Sequence, residues 1–193
     1  MYFALQFQKS TENLQNAEDT RKEILYEVRE LLKKQDIKVS VDEESGILRL
    51  PEESLRFPSG KYEIRVEDKR VISELASALN HVLPCYASGE RPNYCRRSPH
   101  SLEAMFVEGH TDNVPIGKAN YSNWDLSVDR SVTTYKAMID VQPALETLRN
   151  RDNQYLLSVS GYGENRPIVN NDTEERRRMN RRIDLRFVMA TPR

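Results

Sequence analysis

Apolar and polar positions along the chain switch between two periods, and each switch marks an element. From Ser10 to Gln35 the period is helical: Ile24, Leu25, Val28, Leu31 and Leu32 recur at spacings of three and four, which places them on one buried stripe. Asp19 and Thr20 offer a cap for the strongest part of this helix. The opposite face carries Arg21, Lys22, Glu23, Arg29, Glu30, Lys33 and Lys34 and reads as solvated. The stripe is only about two heptads long, which suits packing on its own domain or on a partner helix. Ile37–Val41 and Ile47–Leu50 then alternate at period two around Asp42–Gly46, a turn-forming run, and predict a β-hairpin.

Pro51–Gly60 is a loop. Val71–Leu83 returns to the helical period, with Ile72, Leu75, Ala76 and Leu79 inward and Pro84 as its stop. Residues 84–101 hold Pro84, Pro92, Pro99, Gly89 and both cysteines, and read as an inserted loop. Met105 and Val107 belong to a second major strand. Leu126–Leu148 predicts a long helix with Leu126, Val132, Tyr135, Ile139 and Leu145 on one broad face, kinked or split at Pro143. Tyr155–Tyr162 is a strand, Glu174–Asn180 a short helix, and Arg181–Met189 a last strand with Ile183, Leu185, Phe187 and Met189 on one side. This order predicts an α/β (α+β) two-layer sandwich, with helices against one sheet and some neighbouring strands made parallel by crossovers.

Length and composition narrow the function classes. The 193 residues suffice for one domain plus an appendage, here a helical linker over residues 1–36 and a domain over 37–190. A net charge of -1 gives bulk electrostatics no reason to favour nucleic acid or an anionic membrane. Charged residues make up 31% and hydrophobic ones 38%, which fits a polar extension beside an ordinary core. No stretch approaches the roughly 20 apolar residues of a membrane helix. Met1–Phe7 is apolar, without the basic flank and cleavage site of a signal peptide; it reads either as the stump of a membrane helix or as an exposed apolar start.

The chemistry concentrates in Phe106–Arg130, FVEGHTDNVPIGKANYSNWDLSVDR. A strand runs into Gly109-His110-Thr111-Asp112, then a Pro/Gly loop, then a helix opened by the capping-box pattern Ser122-x-x-Asp125, with Asn123 an equally good cap. Asn123, Leu126 and Arg130 fall at i, i+3 and i+7 on one face, which Asp112 can approach if the loop folds back. Asp112 and Arg130 then either pair with each other and hold the loop, or complement a zwitterionic amino acid, guanidinium to carboxylate and carboxylate to ammonium.

Four blocks in order, Gly109-His110-Thr111-Asp112, Tyr121-Ser122-Asn123-Trp124-Asp125-Leu126-Ser127-x-x-Arg130, Gly161-Tyr162-Gly163-Glu164-x-x-Pro167 and Asn180-Arg181-Arg182-Ile183-Asp184, resemble the OmpA/MotB peptidoglycan-binding family, and the second most resembles its MotB-type branch. The resemblance covers about Leu48–Val188 and implies a βαβαβ domain that holds bacterial cell wall non-covalently. It places Asp112 and Arg130 on the diaminopimelate end of a stem peptide. Asn123 and Leu126 would line the groove, Arg182 would complete it, and His110, Thr111 and Asn180 would support it. It further implies no enzyme activity and no cofactor, a periplasmic location, a homodimer, and a MotA-like inner-membrane partner reached through a membrane segment. Stators of this type carry an acidic membrane helix that this sequence does not show, and Ser131 stands where the family often has alanine. The alternative is a dimerising structural module of a membrane complex that does not bind wall.

His81, Cys85, Cys95 and His100 allow two readings, a zinc site or, in the extracytoplasmic setting the resemblance implies, a Cys85–Cys95 disulfide. His110-x-Asp112 has no second ligand pair to make a metallohydrolase site. Arg176, Arg177, Arg178, Arg181, Arg182 and Arg186 sit among Glu174, Glu175 and Asp184 without a nucleic-acid motif, so they read as ties within the fold.

Overall fold

The computed structural model describes residues 2–191. Helix α1 spans Tyr2–Lys33, and the hairpin strands β1 and β2 span Ser40–Asp42 and Ile47–Pro51. Then come α2 (Lys69–Val82), β3 (Leu102–His110), α3 (Asn123–Val141), the short α4 (Ala144–Thr147), β4 (Leu157–Gly161), α5 (Glu174–Asn180) and β5 (Arg182–Met189). The sheet order is β1-β2-β5-β3-β4. The β3–β4 pair, joined through α3, is parallel; the other neighbours are antiparallel. A two-layer α/β sandwich with an N-terminal helix is therefore what the chain forms. Met1, one end of the apolar opening, lies outside the described residues, and among those described no helix is long and apolar enough to cross a membrane.

Strand alternation divides the sheet chemically. Leu48, Leu50, Met105, Val107, Ile183, Leu185 and Phe187 point to the helical layer and join Ile24, Leu25, Val28, Leu32, Leu75, Leu79 and Met138 in the core. The residues between them put charge on the other face. There Asp184 takes hydrogen bonds from Arg49 and Arg182, and Glu108 takes both arms of Arg186. These carboxylates are almost fully buried, and each is matched by guanidinium, as a charge withdrawn from water requires.

Several boundaries differ from the periodic reading, each for a local reason. α1 begins at Tyr2 rather than Ser10. β1 starts only at Ser40, because Asp36 is left-handed and the Ile37 amide closes the end of α1 on the Leu32 carbonyl. That carries Ile37 into the core and out of the ladder. Pro143 divides the long helix in two, as its missing N–H dictates. Arg181 closes α5 through its amide to the Arg177 carbonyl and does not open β5.

Candidate ligand-binding groove

Two glycines let α3 lie directly on the sheet. Gly109 and Gly161 are opposite each other across β3 and β4. A Cβ on Gly109 would stand 2.0 Å from the Ser127 carbonyl oxygen, and one on Gly161 would stand 2.5 Å from Val128 Cγ2. The helix is fastened there by Ser131, whose hydroxyl donates to the carbonyls of Ser127 and Ser160 at 2.9 and 2.7 Å. It is fastened again by Ser127, which accepts from the Gly163 amide at 2.9 Å. Serine after the helix arginine is thus a working contact here. Ser122 rather than Asn123 is the N-cap, in a reciprocal capping box with Asp125. Asn123 is left free to donate to the Asp112 and Val114 carbonyls at 3.2 and 3.1 Å, folding the post-β3 loop back over the helix.

The result is a groove of about 450 Å³ beyond the end of β3. Its floor is Thr111, Asp112, Leu126 and Arg130, one wall is Phe57–Gly60 from the β2–α2 loop, and the other is Val114–Gly117; Glu52, Glu174 and Arg181 close one end. Asp112 and Arg130 share the groove but do not pair with each other. Asp112 Oδ1 accepts the Val114 amide at 2.9 Å, and Oδ2 accepts Arg181 Nη1 at 2.5 Å. Arg130, only 4% exposed, donates from Nε to the Lys61 carbonyl at 2.9 Å and from Nη2 to the Pro58 carbonyl at 3.2 Å. Its guanidinium stands 5.1 Å over the Phe57 ring. Among the described residues no carboxylate lies within ion-pair distance of Arg130. Burial pulls its pKa down to about 10, and the charges of Glu52 and Asp112 offset this only in part. It is a buried cation held by neutral acceptors.

Arg181 is a groove residue that the sequence reading missed. Its Nε and Nη2 take both oxygens of Glu52 at 2.9 and 2.7 Å, and Nη2 also reaches Glu174 at 2.7 Å. Burial works against its charge, but the bonds to Glu52, Asp112 and Glu174 outweigh burial and leave its pKa raised. Its neighbour Arg182 does not line the groove. It turns to the charged face of the sheet, where it bonds Asp184 at 3.0 Å and the Asn180 and Arg166 carbonyls, and it borders only a minor cleft beside the groove. Asn180 binds the Ile168 and Val169 amides and the Val169 carbonyl, which pins the loop ahead of α5. His110 stacks on Tyr162 with ring centroids 5.3 Å apart. Burial first, and then the charges of Arg182, Arg49, Arg166 and Arg186, push its pKa down to about 2, so it is neutral. Thr111 Oγ1 is buried and has no partner among the described residues.

At the other end of β3, Cys85 and Cys95 are joined by a disulfide, with Cα atoms 5.3 Å apart. His81 stacks on Tyr94. No cluster of metal-ligating side chains occurs among the described residues.

Residues 93–181 match the model of the OmpA family. Motility protein B of Bacillus subtilis is 32% identical over 141 residues, which cover 72% of this chain and 44% of that protein; the chain thus spans less than half the length of this curated relative. Among solved structures, the periplasmic domain of Helicobacter pylori MotB superposes with a TM-score of 0.53 at 25% identity, over 76% of each chain. The cell wall anchor of the T6SS from Pseudomonas aeruginosa superposes with a TM-score of 0.56 at 21% identity, over 84% of this chain and 96% of that one, a likeness of fold. These matches and the fold show an OmpA/MotB-like domain in this chain.

Proposed function

We propose that the chain binds peptidoglycan non-covalently and anchors a membrane complex to the cell wall from the periplasm, as a binding module rather than an enzyme. The observation that carries this reading is Arg130. A guanidinium withdrawn from water and hydrogen-bonded, among the described residues, to carbonyls alone is poised for an anion, because a carboxylate brings a full opposite charge in a bidentate fork. Asp112 lies in the same groove with a spare lone pair on each oxygen, and the Thr111 hydroxyl stands beside it. An anion receptor and a cation receptor on one floor suit the free amino-acid head of a diaminopimelate-type stem peptide. Asn123 shapes the loop, Leu126 supplies an apolar floor and Arg181 orients Asp112; Arg182, His110 and Asn180 serve by holding the strands and loops beneath.

A stator role, a homodimer seated along α1 and a MotA-like membrane partner belong to the same proposal. The test is co-sedimentation with purified sacculi. Wild-type protein is expected to pellet, and Asp112→Ala and Arg130→Ala to remain in the supernatant while keeping the wild-type circular dichroism spectrum. Equal pelleting of all three, or none by the wild type, rejects the groove as the wall site. Calorimetry with diaminopimelate then tests the amino-acid head as the recognised part.

A further inference from the structure

The Phe57–Lys61 wall of the groove is bound to the residue that is meant to receive the ligand. Arg130 has two usable edges, each able to take a carboxylate oxygen for oxygen, end-on through Nη1 with Nη2 and side-on through Nε with Nη2. Here the side-on edge is filled by the Lys61 carbonyl at 2.9 Å and the Pro58 carbonyl at 3.2 Å. The two oxygens come from a single tight turn, in which the Lys61 amide donates back to the Pro58 carbonyl at 3.0 Å. Gly60, at φ +64°, supplies the left-handed residue the turn needs. Phe57 packs its ring against the same guanidinium. The wall is therefore assembled around Arg130 from a segment 69 to 72 residues away in sequence.

We propose that Phe57–Lys61 is a placeholder lid: its two carbonyls stand in for a carboxylate on the side-on edge of Arg130, and ligand binding exchanges them and releases the segment. The exchange trades two neutral acceptors on a buried cation for one charged acceptor, whose Coulomb attraction is set against its desolvation. It also sets a threshold. While the lid is closed only a fraction of molecules is competent to bind, and apparent affinity falls by that fraction. A monovalent anion without the second, ammonium-bearing contact at Asp112 has less to offset the lost turn, so the lid favours zwitterionic heads over simple carboxylates. This inference rests on the amino-acid reading of the groove.

Three measurements separate the two ideas. Without any ligand, Arg130→Lys removes the side-on edge, and amide exchange at Lys61 is expected to accelerate by about 10-fold; unchanged exchange in a folded variant overturns the lid. Gly60→Ala puts a Cβ where nothing lies within 4 Å, so it acts only by making the left-handed turn costly. That is expected to tighten calorimetric binding of diaminopimelate by about 5-fold; equal or weaker binding overturns the lid. With wild-type protein, diaminopimelate is expected to speed exchange at Lys61, and slower or unaltered exchange in a sample that binds it overturns the lid. If the wild type does not bind diaminopimelate at all, the ligand reading falls, and the ligand-free Arg130→Lys measurement alone decides the lid.

Discussion

Burial has opposite outcomes for the charges of Arg130 and His110. Arg130 keeps its charge because even a pKa lowered to about 10 lies well above neutral pH. His110 gives its charge up, with a pKa near 2 set by burial and by four surrounding arginines, although Asp184 Oδ2 is only 3.5 Å from its Nε2. A group depressed in this way stabilises the fold above its unfolded pKa, near 6.5, and that stability is lost as pH falls from there towards 2. Between pH 7 and pH 5 the unfolded chain gains a proton that the native protein refuses, a loss of about 2 kcal/mol. Urea denaturation at the two pH values is therefore expected to show a drop in wild type that is about 2 kcal/mol larger than in His110→Gln. Equal drops would mean that His110 accepts the proton in the folded state.

At the scale of elements, the groove depends on how closely α3 sits on β3 and β4. Gly109→Ala forces a Cβ against the Ser127 backbone carbonyl, which cannot rotate away as a side-chain tip could. The expected cost is about 3 kcal/mol, or a fall of about 6–12 °C in Tm, with Arg130 carried away from its place and sacculus binding weakened with it. Gly117→Ala, on the groove wall with open space around its Cβ, is the control and is expected to melt within about 1 °C of wild type. A Gly109→Ala protein as stable as that control would show that the helix is held elsewhere.

The same contrast explains what could be read in advance. The capping box, the Pro143 break and the common face of Asn123, Leu126 and Arg130 depend on residues within two turns of one another, so periodicity reports them. Whether Arg181 or Arg182 enters the groove depends on a helix ending one residue earlier or later, a boundary that neither the helical nor the strand period decides. The carbonyls that hold Arg130 come from a distant loop whose sequence says only that it turns. Nothing in the alternation of the strands reveals them.

For the whole molecule, the question is where the folding unit begins. Counting α1 as a linker and starting the domain at residue 37 follows the change from helical to strand period. Yet the second half of α1 supplies Ile24, Leu25, Val28 and Leu32, all four fully buried in the common core. α1 is also tied to the hairpin through Tyr26 to Glu43 and through Arg21 to the Glu43 and Glu44 carbonyls. At about 1.5–3 kcal/mol for each buried side chain, removing these four costs about 6–12 kcal/mol, which rivals the about 5–15 kcal/mol that keeps an ordinary domain folded. The first half is different. It runs on for about 22 Å past Ala17, with Leu14 51% and Phe3 84% exposed. Residues 37–193 are accordingly expected to give no cooperative thermal transition. Residues 17–193 should melt within a few degrees of the full chain, pellet equally with sacculi, and sediment as a monomer where the full chain sediments as the proposed dimer. A cooperative transition in the shorter fragment would return α1 to the status of a linker.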